Sequence, residues 1–122
     1  MTNNMLAILL VEDSTLIRER LSSMLTELKN VAEVKEAGNY EEALGILQEG
    51  KTDVVILDIG LPGKTGIDVL RVINQQQWEL KAFVLTNQVD NYLKKLCLSL
   101  GAVDFLDKSK DFDKIPGLIT GL

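Results

Sequence analysis

The chain has 122 residues and no histidine, so its chemistry must run on carboxylates, hydroxyls, amines and backbone. Without imidazole there is no Ser–His or Cys–His nucleophile pair and no His-ligated metal. Nor can the chain phosphorylate a histidine of its own. The informative groups are Glu12, Asp13, Asp58, Thr86 and Lys108, each at or just beyond the end of an apolar run. Asp58 closes Asp53-Val54-Val55-Ile56-Leu57-Asp58, a pattern for a strand buried on both faces, which Ile59-Gly60-Leu61-Pro62-Gly63 terminates. Glu12-Asp13 closes the apolar run Leu6 to Val11. In a doubly wound sheet, ligands bind at the carboxyl ends of the strands.

If the strand order is 2-1-3-4-5, the first and third strands are neighbours and three carboxylates converge in one crevice. They repel unless neutralised. A hard divalent cation resolves this, and Mg²⁺ is typically held by one or two carboxylates together with waters and a phosphate. Asp13 and Asp58 are the expected direct ligands, Glu12 acts through water, and a backbone carbonyl at Gly60 completes the protein's share. The free Asp58 oxygen is then a nucleophile able to accept a phosphoryl group. Lys108 pairs with the added charge, and Thr86 donates its hydroxyl to a phosphoryl oxygen.

The elements that must position these groups alternate. The pattern predicts strands over residues 6–11, 32–37, 53–58, 81–85 and 103–106. Helices are predicted over residues 15–29, from Asn39 to about Gln48, over 66–74 and over 89–100, with a short helix from about Phe112 made irregular by Pro116. Ser14 or Asp13 can cap the first helix, and Asn39-Tyr40-Glu41-Glu42 has the form of a capping box. Gln75-Gln76-Gln77 reads as a solvated connection, and Gly101 as the residue closing the fourth main helix. Alternating strands and helices imply a parallel sheet covered on both faces, with right-handed crossovers. The expectation is an α/β, flavodoxin-like (βα)5 fold with a five-stranded parallel sheet in the order 2-1-3-4-5, one domain over residues 1–122.

Composition sets the outer limits. The chain is 46 % hydrophobic and 25 % charged, with a net charge of −5, and its pI is near 4.7. That balance argues against a direct nucleic-acid or anionic-membrane partner. The apolar run ending at Val11 is too short for a membrane span, and no signal-peptide pattern precedes it. The single cysteine, Cys97, forbids an intramolecular disulfide and suits a cytoplasmic setting.

Glu12-Asp13, Asp58 followed by Leu61-Pro62 and Gly66, then Thr86, Gly101-Ala102 and Lys108 together resemble the receiver domain of bacterial two-component response regulators. The resemblance runs over essentially the whole chain. It implies a signalling switch rather than an enzyme, with at most slow Mg²⁺-dependent self-dephosphorylation. Asp58 is then the phosphoacceptor, Glu12 and Asp13 bind Mg²⁺, Thr86 is the switch hydroxyl and Lys108 the phosphoryl contact. Phe105 takes the position of the switch aromatic. The implied donor is a sensor histidine kinase or a histidine phosphotransfer protein. The implied output is a changed face of helix four, strand five and helix five that binds a downstream protein. Three residues depart from the family pattern. Ser109 stands where most receivers have proline, so no cis peptide is expected there, since a non-proline cis bond costs about 2.5–4 kcal/mol. Phe105 lacks the hydroxyl of the commoner tyrosine, and Asn87 is larger than the usual residue beside the switch threonine.

Other readings fit less well. Gly63-Lys64-Thr65 looks like the end of a P-loop, but the glycine needed five residues earlier is Asp58. A small phosphotransferase of the haloacid dehalogenase type would carry an acid two residues after its nucleophile, where this chain has Gly60. A flavodoxin shares the topology, but an acidic crevice opposes a flavin phosphate. A receiver-like interaction module that works without phosphorylation is the remaining alternative.

Overall fold

The computed structural model describes residues 5–61 and 63–122. Pro62 of the Leu61-Pro62 pair and the four N-terminal residues lie outside them. Five strands, β1 (Leu6–Val11), β2 (Val31–Ala37), β3 (Val54–Leu57), β4 (Lys81–Thr86) and β5 (Asp104–Asp107), alternate with helices α1 (Thr15–Thr26), α2 (Tyr40–Leu47), α3 (Gly66–Gln76), α4 (Asn91–Ser99) and α5 (Ile115–Thr120). A 3-10 turn at Phe112–Lys114 leads into α5. The strands form one parallel sheet in the order β2-β1-β3-β4-β5, the flavodoxin-like order expected from the sequence.

Period-two alternation along the interior strands divides the core. Leu9, Val11, Val55, Leu57, Val84 and Phe105 pack against α2, α3 and α4, with Ala43, Leu70 and Cys97 facing them. Ile8, Leu10, Val54, Ile56, Phe83, Leu85 and Leu106 pack on the other face against Leu21 and Leu25 of α1 and Ile115 and Ile119 of α5. Every residue of β3 is buried, as its unbroken apolar run requires. Among the described residues, no helix is long and apolar enough to cross a membrane.

Several boundaries move by a few residues. Helix α1 ends at Thr26 rather than Lys29, because Leu28 N–H turns back to the Leu25 carbonyl and Val31 N–H to that of Leu28. Helix α3 takes in Gln75 and Gln76 and stops at Gln77, whose φ of 55° is left-handed, so most of the polar stretch is helix rather than connection. Helix α4 starts at Asn91, two residues later than Val89, because the Asp90 carboxylate caps the N–H groups of Tyr92 and Leu93. Pro116 sits in the first turn of α5, where the missing N–H costs nothing. Ser14 caps α1 by accepting from Ile17 N–H. Asn39 caps α2 through Glu42 N–H, but the Glu42 carboxylate reaches Gly38 N–H, one residue before the cap.

Candidate functional site

Register brings the site together. Val11 pairs with Leu57, and Asp58 N–H donates to the Val11 carbonyl at 2.9 Å, so Glu12 and Asp58 leave adjacent strands side by side. Glu12 N–H is held in turn by the Ala37 carbonyl of β2. One oxygen from each of Glu12, Asp13 and Asp58 lies within 4.8 Å of the others. Asp13 is exposed, whereas Glu12 and Asp58 are buried among the strand ends.

Lys108 reaches into this cluster from the end of β5. Its Nζ donates to Asp58 Oδ2 at 2.8 Å and pairs with Glu12 Oε1. Beyond this pairing with Lys108, Glu12 Oε1 is buried with no other hydrogen-bond partner. The other Asp58 oxygen, Oδ1, accepts from Gly60 N–H at 3.0 Å, and Glu12 Oε2 accepts from Ser14 N–H at 3.1 Å. Burial pushes the Glu12 carboxyl up, against the pull of Lys108 and the Ser14 N–H. Burial alone would pull the Lys108 ammonium down, but the hydrogen bonds and charges of Asp58 and Glu12 outweigh it and hold Lys108 above the ordinary lysine value.

With all four groups ionised the quartet has a formal charge of −2, an amount that one divalent cation balances. The donors are hard oxygens, two of them strongly buried, and Glu12 Oε1 has spare coordinating capacity. That set fits Mg²⁺ and not a soft or imidazole-seeking metal.

Thr86 and Phe105 stand apart from the carboxylates. Thr86 ends β4 and is buried, and its Oγ1 accepts from Gln88 N–H at 3.0 Å, which leaves its own proton to donate. Phe105 is buried in the core layer beneath α4, among residues that include Val84, Cys97 and Ala102. Arg18, Asp107 and Asp111, which sequence reasoning passed over, also shape the site, as does Gly66 of the motif. Arg18 of α1 donates from Nη1 to the Glu12 carbonyl at 2.5 Å and pairs with Glu36 at 3.2 Å, so the acidic loop is pinned from behind. Gly66 opens α3 against the acceptor: a Cβ there would lie 2.6 Å from Leu57 Cδ1 and closer still to the Asp58 carbonyl oxygen. The loop after Lys108 is tied by the carboxylates of Asp107 and Asp111. The Asp107-Lys108-Ser109 triplet, an Asx-turn pattern, was its available signal.

The response regulator receiver domain family matches residues 8–120. The transcriptional activator protein ExaE of Pseudomonas putida is 36 % identical over 104 residues, 85 % of this chain and 49 % of that protein. The response regulator UvrY of Escherichia coli is 31 % identical over 104 residues, covering 85 % of this chain and 48 % of the relative. The chain thus spans about half the length of these curated relatives. The crystal structure of the Vibrio cholerae chemotaxis protein CheY4 superposes with a TM-score of 0.85 at 26 % identity, covering 96 % of this chain and 98 % of that one. The family match over nearly the whole chain and the strand-end cluster of carboxylates and lysine lead to one conclusion: the chain belongs to the response regulator receiver domain family.

Proposed function

We propose that residues 1–122 act as one receiver unit, a phosphorylation-controlled switch whose acceptor is Asp58. The observation that carries this reading is the placement of Lys108 Nζ on both Asp58 and Glu12, in a pocket that also gathers Asp13. A buried carboxylate held between an ammonium and two further acids is arranged for added negative charge and a cation. It is poorly arranged for packing alone.

Asp13, Asp58 and the Gly60 carbonyl would hold Mg²⁺, with Glu12 acting through water. When bound, the ion neutralises charge on the transferring phosphoryl group and orients it. The donor is a phosphohistidine of a sensor histidine kinase or a phosphotransfer protein. Asp58 Oδ2 attacks phosphorus as the P–N bond breaks, and the electron pair returns to the imidazole nitrogen, which takes a proton from solvent. Lys108 then passes its hydrogen bond from Oδ2 to a phosphoryl oxygen. Thr86 turns its hydroxyl toward that oxygen, and Phe105 moves into the space released, changing the face of α4, β5 and α5 that a downstream protein reads. The chain works in the cytoplasm, and its own catalysis is limited to slow self-dephosphorylation.

Intact mass after incubation with acetyl phosphate, with and without Mg²⁺, tests the acceptor. One added phosphoryl group that requires Mg²⁺ and is lost in Asp58→Asn is the expected result. No gain from acetyl phosphate or from a phosphohistidine donor would instead point to an interaction module that works unphosphorylated. For Lys108→Ala, phosphorylation persists but no longer produces the spectroscopic change seen in the wild type. An unaltered change in that variant removes Lys108 from the switch.

A further inference from the structure

Lys108 has a flexible four-carbon stem, and a lysine that must meet one phosphoryl oxygen gains most from a fixed origin. The chain around it is tied down at several points. Lys108 N–H donates to the Thr86 carbonyl at 3.0 Å, extending the β4–β5 ladder by one residue. The backbone then reverses at once. Asp107 N–H donates to Asp111 Oδ2 at 2.9 Å, and Asp111 N–H donates back to the Asp107 carbonyl at 2.8 Å. Inside this ring, Asp107 Oδ1 accepts from both the N–H and the hydroxyl of Ser109, at 2.8 and 2.7 Å. Asp111 Oδ1 is held at 3.0 Å by Lys114, at the foot of α5. The residues on either side of Lys108 are therefore joined to each other and to the next helix. The Ser109 N–H that takes part is one a proline would lack.

We infer that Asp111, acting through Asp107 and Ser109, is a positioning residue that sets the Lys108 ammonium at the acceptor site. The inference rests on the proposed contact between Lys108 and the phosphoryl group. Asp111 itself touches neither the acceptor nor the carboxylate cluster. Its effect travels through the backbone at Asp107, the residue from which Lys108 departs. Neutral acceptors serve as well as charged ones in this role, because the bond that matters is the one from Asp107 N–H. Asp111→Asn keeps an oxygen for it, and Asp111→Ala does not.

The test uses beryllofluoride, a stable mimic of the phosphoryl group, titrated calorimetrically at saturating Mg²⁺ into the full chain. The set comprises wild type, Asp111→Ala, Asp111→Asn, Lys108→Ala and the Lys108→Ala/Asp111→Ala double variant. Asp111→Ala weakens binding about fivefold, Asp111→Asn restores it to within about twofold, and the double variant binds no more weakly than Lys108→Ala. Mg²⁺ affinity measured without the mimic stays the same in all three Asp111 backgrounds, which a general loosening of the fold would not allow. A penalty of equal size in the Lys108→Ala background overturns the inference, as does wild-type affinity in Asp111→Ala while Lys108→Ala is impaired. If Lys108→Ala itself binds as tightly as wild type, the role of Lys108 fails and this inference falls with it.

Discussion

Arg18 is the clearest case of a single residue whose role depends on where its neighbours are. Its guanidinium serves the Glu12 carbonyl from Nη1 and the Glu36 carboxylate from Nε, two nitrogens held in one rigid plane, whereas a lysine would have to reach both from a single flexible point. The Glu36 pair is partly exposed, at 18 % and 37 % of its two side chains, and contributes little. Loss of the bond to the Glu12 carbonyl leaves an acceptor beside the acid pair without a partner. Arg18→Met is therefore expected to lose about 1–3 kcal/mol of stability in urea denaturation, and Arg18→Lys to recover only part of it. An unchanged midpoint for Arg18→Met removes the pin. Cys97 is fully buried, and burial pushes its thiol up, so almost no thiolate forms at neutral pH. Native protein should resist a thiol reagent and react only at the rate of opening, and prompt stoichiometric labelling would contradict this burial.

At the level of elements, the approach of α3 to the end of β3 is set by one missing side chain. Alanine has the higher helix propensity, by about 1 kcal/mol. In Gly66→Ala, however, the new methyl must displace Leu57 or the Asp58 backbone, at a cost of about 1–3 kcal/mol. The variant should be less stable by denaturant midpoint and weaker in Mg²⁺ affinity, and a gain in stability would show that propensity wins. The turn between β5 and α5 carries its own pH signature. The Asp107 N–H and then Lys114 hold the Asp111 carboxyl below the ordinary value of 3.8. The ionised form therefore favours the folded state. Its contribution is present above the unfolded value and is lost as pH falls through the folded one. The difference in melting temperature between wild type and Asp111→Ala should be constant well above pH 3.8 and shrink below it, with a remainder from the Asp107 N–H bond that the neutral acid still accepts. A difference that grows on acidification would reverse the sign.

For the molecule as a whole, the proposed cation site predicts a stability that depends on Mg²⁺. On the proposed reading Mg²⁺ would bind the gathered carboxylates of the folded state and not the dispersed ones of the unfolded chain, and would stabilise by about 2.7 kcal/mol at a concentration one hundred times Kd. Thermal unfolding across a Mg²⁺ series should show a rising midpoint in wild type and a flat one in Asp13→Asn. An equal rise in that variant would locate the ion elsewhere.

How much of this was legible in advance follows from the range of the interactions. The order of elements, the parallel sheet and the strand-end places of Glu12, Asp13, Asp58, Thr86 and Lys108 depend on local periodicity, which a buried strand such as β3 or an amphipathic helix such as α3 writes into the residues themselves. Helix ends were less legible. A single bond such as Leu28 N–H to Leu25 decides where α1 stops, and the polar Gln75 and Gln76 carry no sign that the helix runs through them. The sequence by itself determined the fold class and which groups could meet. Only the tertiary structure decided that Lys108 already bridges Asp58 and Glu12, that Arg18 holds the acid loop from behind, that Gly66 leaves room for the acceptor backbone and that Asp111 closes the turn under Lys108. The two Lys108 contacts join residues far apart in the chain, whereas those of Arg18, Gly66 and Asp111 are nearer in sequence and depend on how a loop or helix docks. Strand register and helix docking set their distances, and neither is encoded within one local window.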